Sequence, residues 1–142
     1  MQLDNMLLQA CKNNKKSVAQ TFLKRGGVDV NKRDESGNTP LIYACMKNAR
    51  DLVKMLLDNG ADVNLGNQRD RMPLHFAAET GSFEIIALLI GAGAEVNCAD
   101  MNGITPLMVM ARQGKTDAAL KFIQNPDVDI KLKDNGNHMA VD

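Results

Sequence analysis

A chain of 142 residues that is 44% hydrophobic and 24% charged suits one domain or one short solenoid, with the composition of an ordinary folded protein. Seventeen basic residues balance seventeen acidic ones, which argues against a general polyanion binder. No apolar run approaches the roughly 20 residues of a membrane-spanning helix, and the opening MQLDNMLLQACKNNKK has Asp4 and no basic residue ahead of its amphipathic stretch, which is wrong for a secretory signal.

The chain is a pattern that returns every 33 residues. Pro40-Leu41 recurs as Pro73-Leu74 and Pro106-Leu107, and GADVN at 60–64 recurs as GAEVN at 93–97. Self-similarity at a fixed step of this size marks a stacked repeat array. Residues 1–33 form the first unit, with its start degraded. Aligning Ala10-Cys11 with Ala44-Cys45 needs a step of 34, which puts Val18, Ala19, Phe22 and Leu23 on the apolar positions of a second helix and the extra residue in Gly26-Gly27-Val28. A terminal unit is atypical because one of its faces meets water. Lys12, Lys15, Lys16, Lys24, Arg25, Lys32 and Arg33, against Asp4 and Asp29, make this end basic. It reads as a solvated capping face or as a docking patch for an acidic partner or a phosphate backbone.

Residues 34–66 form the next unit. Pro40 opens a helix at a position whose N–H has no intrahelical partner, and the small Ala44 and Cys45 let that helix approach its neighbours closely. Leu52, Val53, Leu56 and Leu57 then follow the spacing i, i+1, i+4, i+5, one face of a second helix, which Gly60 stops with a left-handed residue. The unit 67–99 repeats this with Ala77 and Ala78, then Ile85, Ile86, Leu89 and Ile90, up to Gly93. Asp34 with Gly37, and Asp100 with Gly103, form the turns before the helix pairs. The unit 100–132 carries Met110 and Ala111, then Ala118, Ala119, Phe122 and Ile123. It decays at Pro126-Asp127-Val128-Asp129-Ile130, a one-residue insertion before the loop that is compensated at the next tip. Residues 133–142 begin a partial unit that stops before a second helix. The apolar face of Phe122 and Ile123 therefore needs a cover, supplied by the short tail, by a continuation of the chain, or by a second copy that meets it there.

These units resemble ankyrin repeats: a Thr-Pro-Leu-His start, an Ala pair, a mid-repeat Gly, a Leu pair and a Gly-Ala-Asp-Val-Asn finish are matched nearly position by position. The 34-residue tetratricopeptide type needs aromatic positions that a chain without Trp and with a single Tyr does not have. The resemblance implies an all-α solenoid of stacked helix-turn-helix units joined by β-hairpin-like loops. Departures are local. Asn48 stands for the mid-repeat Gly, and Asn is the usual substitute where a left-handed backbone is needed. Met72 stands for Thr and Asp70 for the turn Gly. His75 alone keeps the family's His, whose equivalents are Ile42 and Met108; the resemblance makes it a brace of the loop through hydrogen bonds. His138 falls on the Thr position of the last partial unit, too far along the stack to share a metal with His75.

No catalytic motif stands out: there is no Gly-rich phosphate loop, no HExxH, no CxxC and no GxSxG elbow. The carboxylates Asp34, Asp62, Glu95 and Asp100 recur at fixed repeat positions, where they shape loops. Catalysis needs unlike groups converging on one point, whereas a repeat supplies like groups in a row. The three cysteines are at no metal-like spacing. Cys11 and Cys45 read as small buried residues, Cys98, just past a loop Asn, as exposed, and together they point to an intracellular, cytoplasmic protein. Neither enzyme activity, nor a cofactor, nor a metal is expected.

A row of like groups binds. Stacked pairs line up hairpin tips and first helices along one concave side as a rigid surface, which loses little ordering entropy on association. The family's usual contact positions select Glu35, Ser36, Asn38, Met46 and Lys47, then Gln68, Arg69, Arg71, Glu79 and Thr80, then Met101, Asn102, Ile104, Arg112 and Gln113. Met46, Met101 and Ile104 are apolar where the chain should face water, and Arg69 and Arg71 share one tip with no packing reason to be there. Met and Arg are enriched at interfaces. The expected function is a non-catalytic protein-binding module. Alternatives are a regulatory or targeting domain of a larger, possibly enzymatic protein, and nucleic-acid binding by the basic first unit. The latter lacks aromatic residues on which bases could stack.

Overall fold

A computed structural model describes residues 3–130, which form eight helices and, among those residues, no strand. The helices are α1 (Leu3–Lys12), α2 (Lys16–Arg25), α3 (Pro40–Met46), α4 (Arg50–Asp58), α5 (Pro73–Thr80), α6 (Phe83–Gly91), α7 (Pro106–Arg112) and α8 (Thr116–Phe122). They form four pairs. The first helices α1, α3, α5 and α7 pack in one row, each on the next, and the second helices α2, α4, α6 and α8 form a second row behind it. The expected all-α stack is what forms. The partial unit 133–142, with His138, lies outside the described residues.

Local chemistry starts and stops each helix. The Thr39 and Thr105 hydroxyls accept the N–H groups of Ile42 and Met108 at 3.2 and 3.3 Å, satisfying donors that the first turn leaves free. Between α3 and α4, Ala49 N–H reaches the Ala44 carbonyl and Asn48 N–H the Cys45 carbonyl, both at 3.0 Å. This double closure requires a left-handed residue between the helices, and Asn48 supplies it at φ 54°.

The helical spacing places the core. Leu52, Val53, Leu56, Ile85, Ile86 and Leu89 are sealed from solvent, and Leu57 and Ile90 are half-buried against them. Phe122 is also buried and Ile123 half-buried. In the first pair the same positions behave differently. Ala19 and Leu23 are buried, but Val18 is 47% exposed and Phe22 only half-buried, because they point to the outer end of the stack, where no other helix packs among the described residues.

Loop side chains link the pairs in register. Asn31 Oδ1 accepts Asp62 N–H at 2.8 Å, Asn64 Oδ1 accepts Glu95 N–H at 2.9 Å, and Asn97 Oδ1 accepts Asp129 N–H at 2.8 Å. The last link is one residue longer than the others, which is where the inserted residue before Asp129 appears. At the start of the stack Asp4 takes the same role, accepting Asp29 N–H at 2.7 Å.

Cys98 differs from expectation. It is buried rather than exposed, because the chain after Asn97 turns inward and lays its thiol 4.0 Å from His75 Nδ1. Burial pushes the thiols of Cys11 and Cys98 up to about 12 and that of Cys45 higher still, so all three behave as small hydrophobes.

Candidate partner-binding face

Each hairpin tip is shaped by one side chain. Asp34 Oδ1 accepts the N–H groups of Ser36 and Asn38, Asn67 Oδ1 those of Arg69 and Arg71, and Asp100 Oδ1 those of Asn102 and Ile104. Adjacent tips are then joined through the backbone: Gln68 N–H donates to Ser36 C=O at 3.0 Å and Met101 N–H to Arg69 C=O at 2.9 Å. Gly37 permits this approach. Its φ is +79°, and a Cβ there would lie 2.8 Å from Gln68 N.

At the first tip, the Tyr43 hydroxyl makes a short hydrogen bond to Asp34 Oδ2. Burial pushes the Asp34 carboxyl up, but the bonds from Tyr43, Asn38 and Ser36, with Lys12 nearby, outweigh it and hold the group below its ordinary value. Asn38 is therefore not an open contact position. It is buried, with its amide toward Tyr43 and its oxygen accepting from Asn67 Nδ2 at 3.0 Å.

His75, at the start of α5, is fully buried. Its Nδ1 accepts Met72 N–H at 2.9 Å, and its Nε2 lies 2.8 Å from the Ile104 carbonyl. These contacts define a neutral ring that carries its proton on Nε2. Burial is the main cause that holds its pKa below the ordinary histidine value, with Arg71 adding to the effect. Two roles follow. The imidazole caps α5 where Met72 has no hydroxyl to do so, and it braces the next tip, as the resemblance implies.

Arg71 has the packing partners that its sequence position does not reveal. Its guanidinium lies 2.6 Å from Glu79 Oε1, with Nε 3.6 Å from Asp100 Oδ2, and it stacks 5.0 Å from the Phe76 ring centre. Nε is buried and makes no hydrogen bond. By contrast, Arg69 is exposed, with no side-chain ion pair or hydrogen bond among the described residues.

Arg69, Arg71, Glu79, Asn102, Ile104 and Arg112 line one cavity of about 250 Å³, together with Asp100, Val109 and Gln113. Ile104 is half-buried against the core instead of facing water, because its carbonyl is held by His75. With Val109 it forms the apolar part of the wall. Met101 is 63% exposed on the tip and Met46 37% exposed at the end of α3. Lys47 is exposed beside Met46, and the Gln68 side chain is drawn to the Glu35 carbonyl at 2.6 Å. Asp100 and Phe76 are the residues that sequence reasoning missed at this face, as anchors of Arg71.

Three of the seven basic residues of the first unit are engaged within the fold. Lys16 pairs with Asp51 at 2.9 Å, Arg33 donates to the carbonyls of Gly37 and Gly66, and Lys12 sits 5.8 Å from the Tyr43 ring centre. No group of three or more His, Cys, Asp or Glu among the described residues is placed to hold a metal. No helix among them is long and apolar enough to cross a membrane.

The ankyrin repeats (3 copies) family model matches residues 3–67 and 51–134. An ankyrin and IPT/TIG repeat-containing protein of Schizosaccharomyces pombe is 51% identical over 43 residues, which cover 30% of this chain and 4% of that protein. Repeats of this family are generally protein–protein interaction modules and generally non-catalytic.

Proposed function

We propose that this chain, which belongs to the ankyrin-repeat family, is a non-catalytic module that holds a protein partner against its hairpin tips and the exposed ends of α5 and α7. The observation that carries this reading is the gathering of Arg69, Arg71, Glu79, Asn102, Ile104 and Arg112 around one cavity, with Met101 exposed on the tip above. Methionine and arginine are enriched at protein interfaces, and arginine is also enriched among the residues that carry most of the binding energy. A face built on stacked, mutually bonded tips is preorganised, so little is lost in ordering it. A cytoplasmic setting belongs to the same proposal and is supported by three buried thiols with no disulfide between them. The engagement of Lys16, Arg33 and Lys12 within the fold speaks against nucleic acid as the partner.

The test is capture of partners from a cell lysate by the wild-type chain, by an Arg69→Glu/Met101→Glu variant and by a Lys54→Glu control on α4. Arg71 is left in place because its partners are internal. A partner kept by wild type and control but lost by the face variant supports the proposal. A partner kept by all three places the contact elsewhere, on the basic first unit or on the outer side of α8.

A second reading is a regulatory or targeting domain of a larger protein. It is favoured by the fission-yeast relative, in which the matched repeats are a small part of a long chain.

A further inference from the structure

We propose that the outer side of the first helix pair, a surface separate from the tip face, receives an amphipathic helix of a partner protein that carries acidic residues at both ends of its apolar stripe. Met6 and Ala10 of α1 and Val18 and Phe22 of α2 form the floor of a groove of about 320 Å³, and Met6 and Val18 are 42% and 47% exposed. The positions of Val18 and Phe22 return as Leu52 and Leu56, then Ile85 and Leu89, then Ala118 and Phe122, and all of those are buried. What covers them is a helix: α2 packs on α4, α4 on α6 and α6 on α8. A pair that closes a stack needs a polar outer face. This one instead repeats the inner face of the array, and a helix is the element that such a groove accepts.

Charge fixes the sign of that helix. Lys15, the N-cap of α2, precedes Val18 by three residues and Arg25 follows Phe22 by three, a spacing that sets all four on one helical face, the apolar pair between two cations. Lys15 lines the groove. Both cations are exposed, and neither has a side-chain ion pair or hydrogen bond among the described residues. Asn5, Gln9 and Asn13 make the α1 side of the groove, neutral amides that donate and accept alike. A basic helix would be repelled at both ends of the stripe, and an acidic one is drawn to it. A second copy presenting the same face would set Lys15 and Arg25 against their like-charged counterparts. A phosphate backbone would leave the apolar floor uncovered.

The experiment is selection on the full chain from a display library of helical peptides with leucine at i, i+3 and i+7 and random residues elsewhere. Solution affinities of a selected peptide are then measured on wild type, Val18→Asp, Lys15→Glu/Arg25→Glu and the tip variant Arg69→Glu/Met101→Glu, each verified as folded by circular dichroism. Expected are acidic residues recurring before and after the leucines, an affinity loss of about tenfold or more for Val18→Asp, and no change for the tip variant. The charge reversal should cost about threefold or more, and a peptide with lysine in place of its acidic residues should recover it. Peptides without an acidic bias, an affinity that Val18→Asp leaves unchanged, binding lost with the tip variant instead, or no selected peptide overturn the inference. Light scattering of the chain alone should show a monomer; a concentration-dependent dimer that Val18→Asp dissolves gives the face to a second copy and likewise overturns it. The tip-face reading stands or falls by its own test, because its variant enters here only as a control.

Discussion

His75 Nε2 donates to the main-chain oxygen of Ile104 across 2.8 Å, while Nδ1 of the same ring accepts the N–H of Met72 at 2.9 Å. One neutral side chain thus joins the start of α5 to the tip that precedes α7. A proton added to Nδ1 would face an N–H donor instead of a lone pair.

Stability should fall as His75 is forced to charge. Its folded pKa lies below the ordinary 6.5, with burial the main cause, so the unfolded chain binds more protons between those two values. The contribution is fully present above about pH 6.5 and declines as pH falls toward the folded pKa, by at most about 1.4 kcal/mol per pH unit. Urea unfolding of the wild type should show this slope. A Met72→Thr/His75→Ile variant, which copies the cap used at Thr39 and Ile42, should show it reduced.

Removal of the two tip arginines should separate their roles. Arg71→Ala deletes the Glu79 pair and uncovers Phe76, and should cost about 1–2 kcal/mol, a discounted figure because both members of the pair are partly exposed. Arg69→Ala should stay within about 0.5 kcal/mol of wild type. Denaturant midpoints measure both, and equal losses would mean that Arg71 is no more anchored than its neighbour.

Gly37 and Asp70 occupy the same place in successive tips, at φ +79° and +57°. Gly37→Ala would place a methyl group 2.8 Å from Gln68 N in a left-handed backbone and should destabilise by about 1–2 kcal/mol or more. Asp70→Gly relieves the left-handed strain of a side-chain-bearing residue and should leave stability unchanged or raise it by up to about 1 kcal/mol. Thermal melts of the two variants should therefore shift in different ways.

Leu56→Ala, at a fully buried position of α4, should cost about 2–5 kcal/mol. The α4 row packs on both α2 and α6, so the loss should be shared across the stack. Hydrogen exchange should then quicken in α2 and α6 as well as in α4.

Most of the fold was legible because a repeat states its own rules several times. The i, i+1, i+4, i+5 positions Leu52, Val53, Leu56 and Ile85, Ile86, Leu89 are buried as the helical period requires, and Asn48 adopts the left-handed turn that its place demands. The face was legible only in part. Of the chosen positions, seven share a cavity, but Asn38 is buried and Ile104 leans on the core.

Periodicity determines the phase of each side chain around its helix and the places where the backbone must turn, and both are properties of neighbours along the chain. It does not determine where a long charged side chain ends. Arg69 and Arg71 sit two residues apart on one tip and look alike in the sequence. Arg71 is claimed by Glu79 from the helix that follows its tip and by Asp100 from the next tip, and Arg69 is exposed. Only stacking brings Asp100 within reach, so only the tertiary structure decided which arginine braces the fold and which stays exposed.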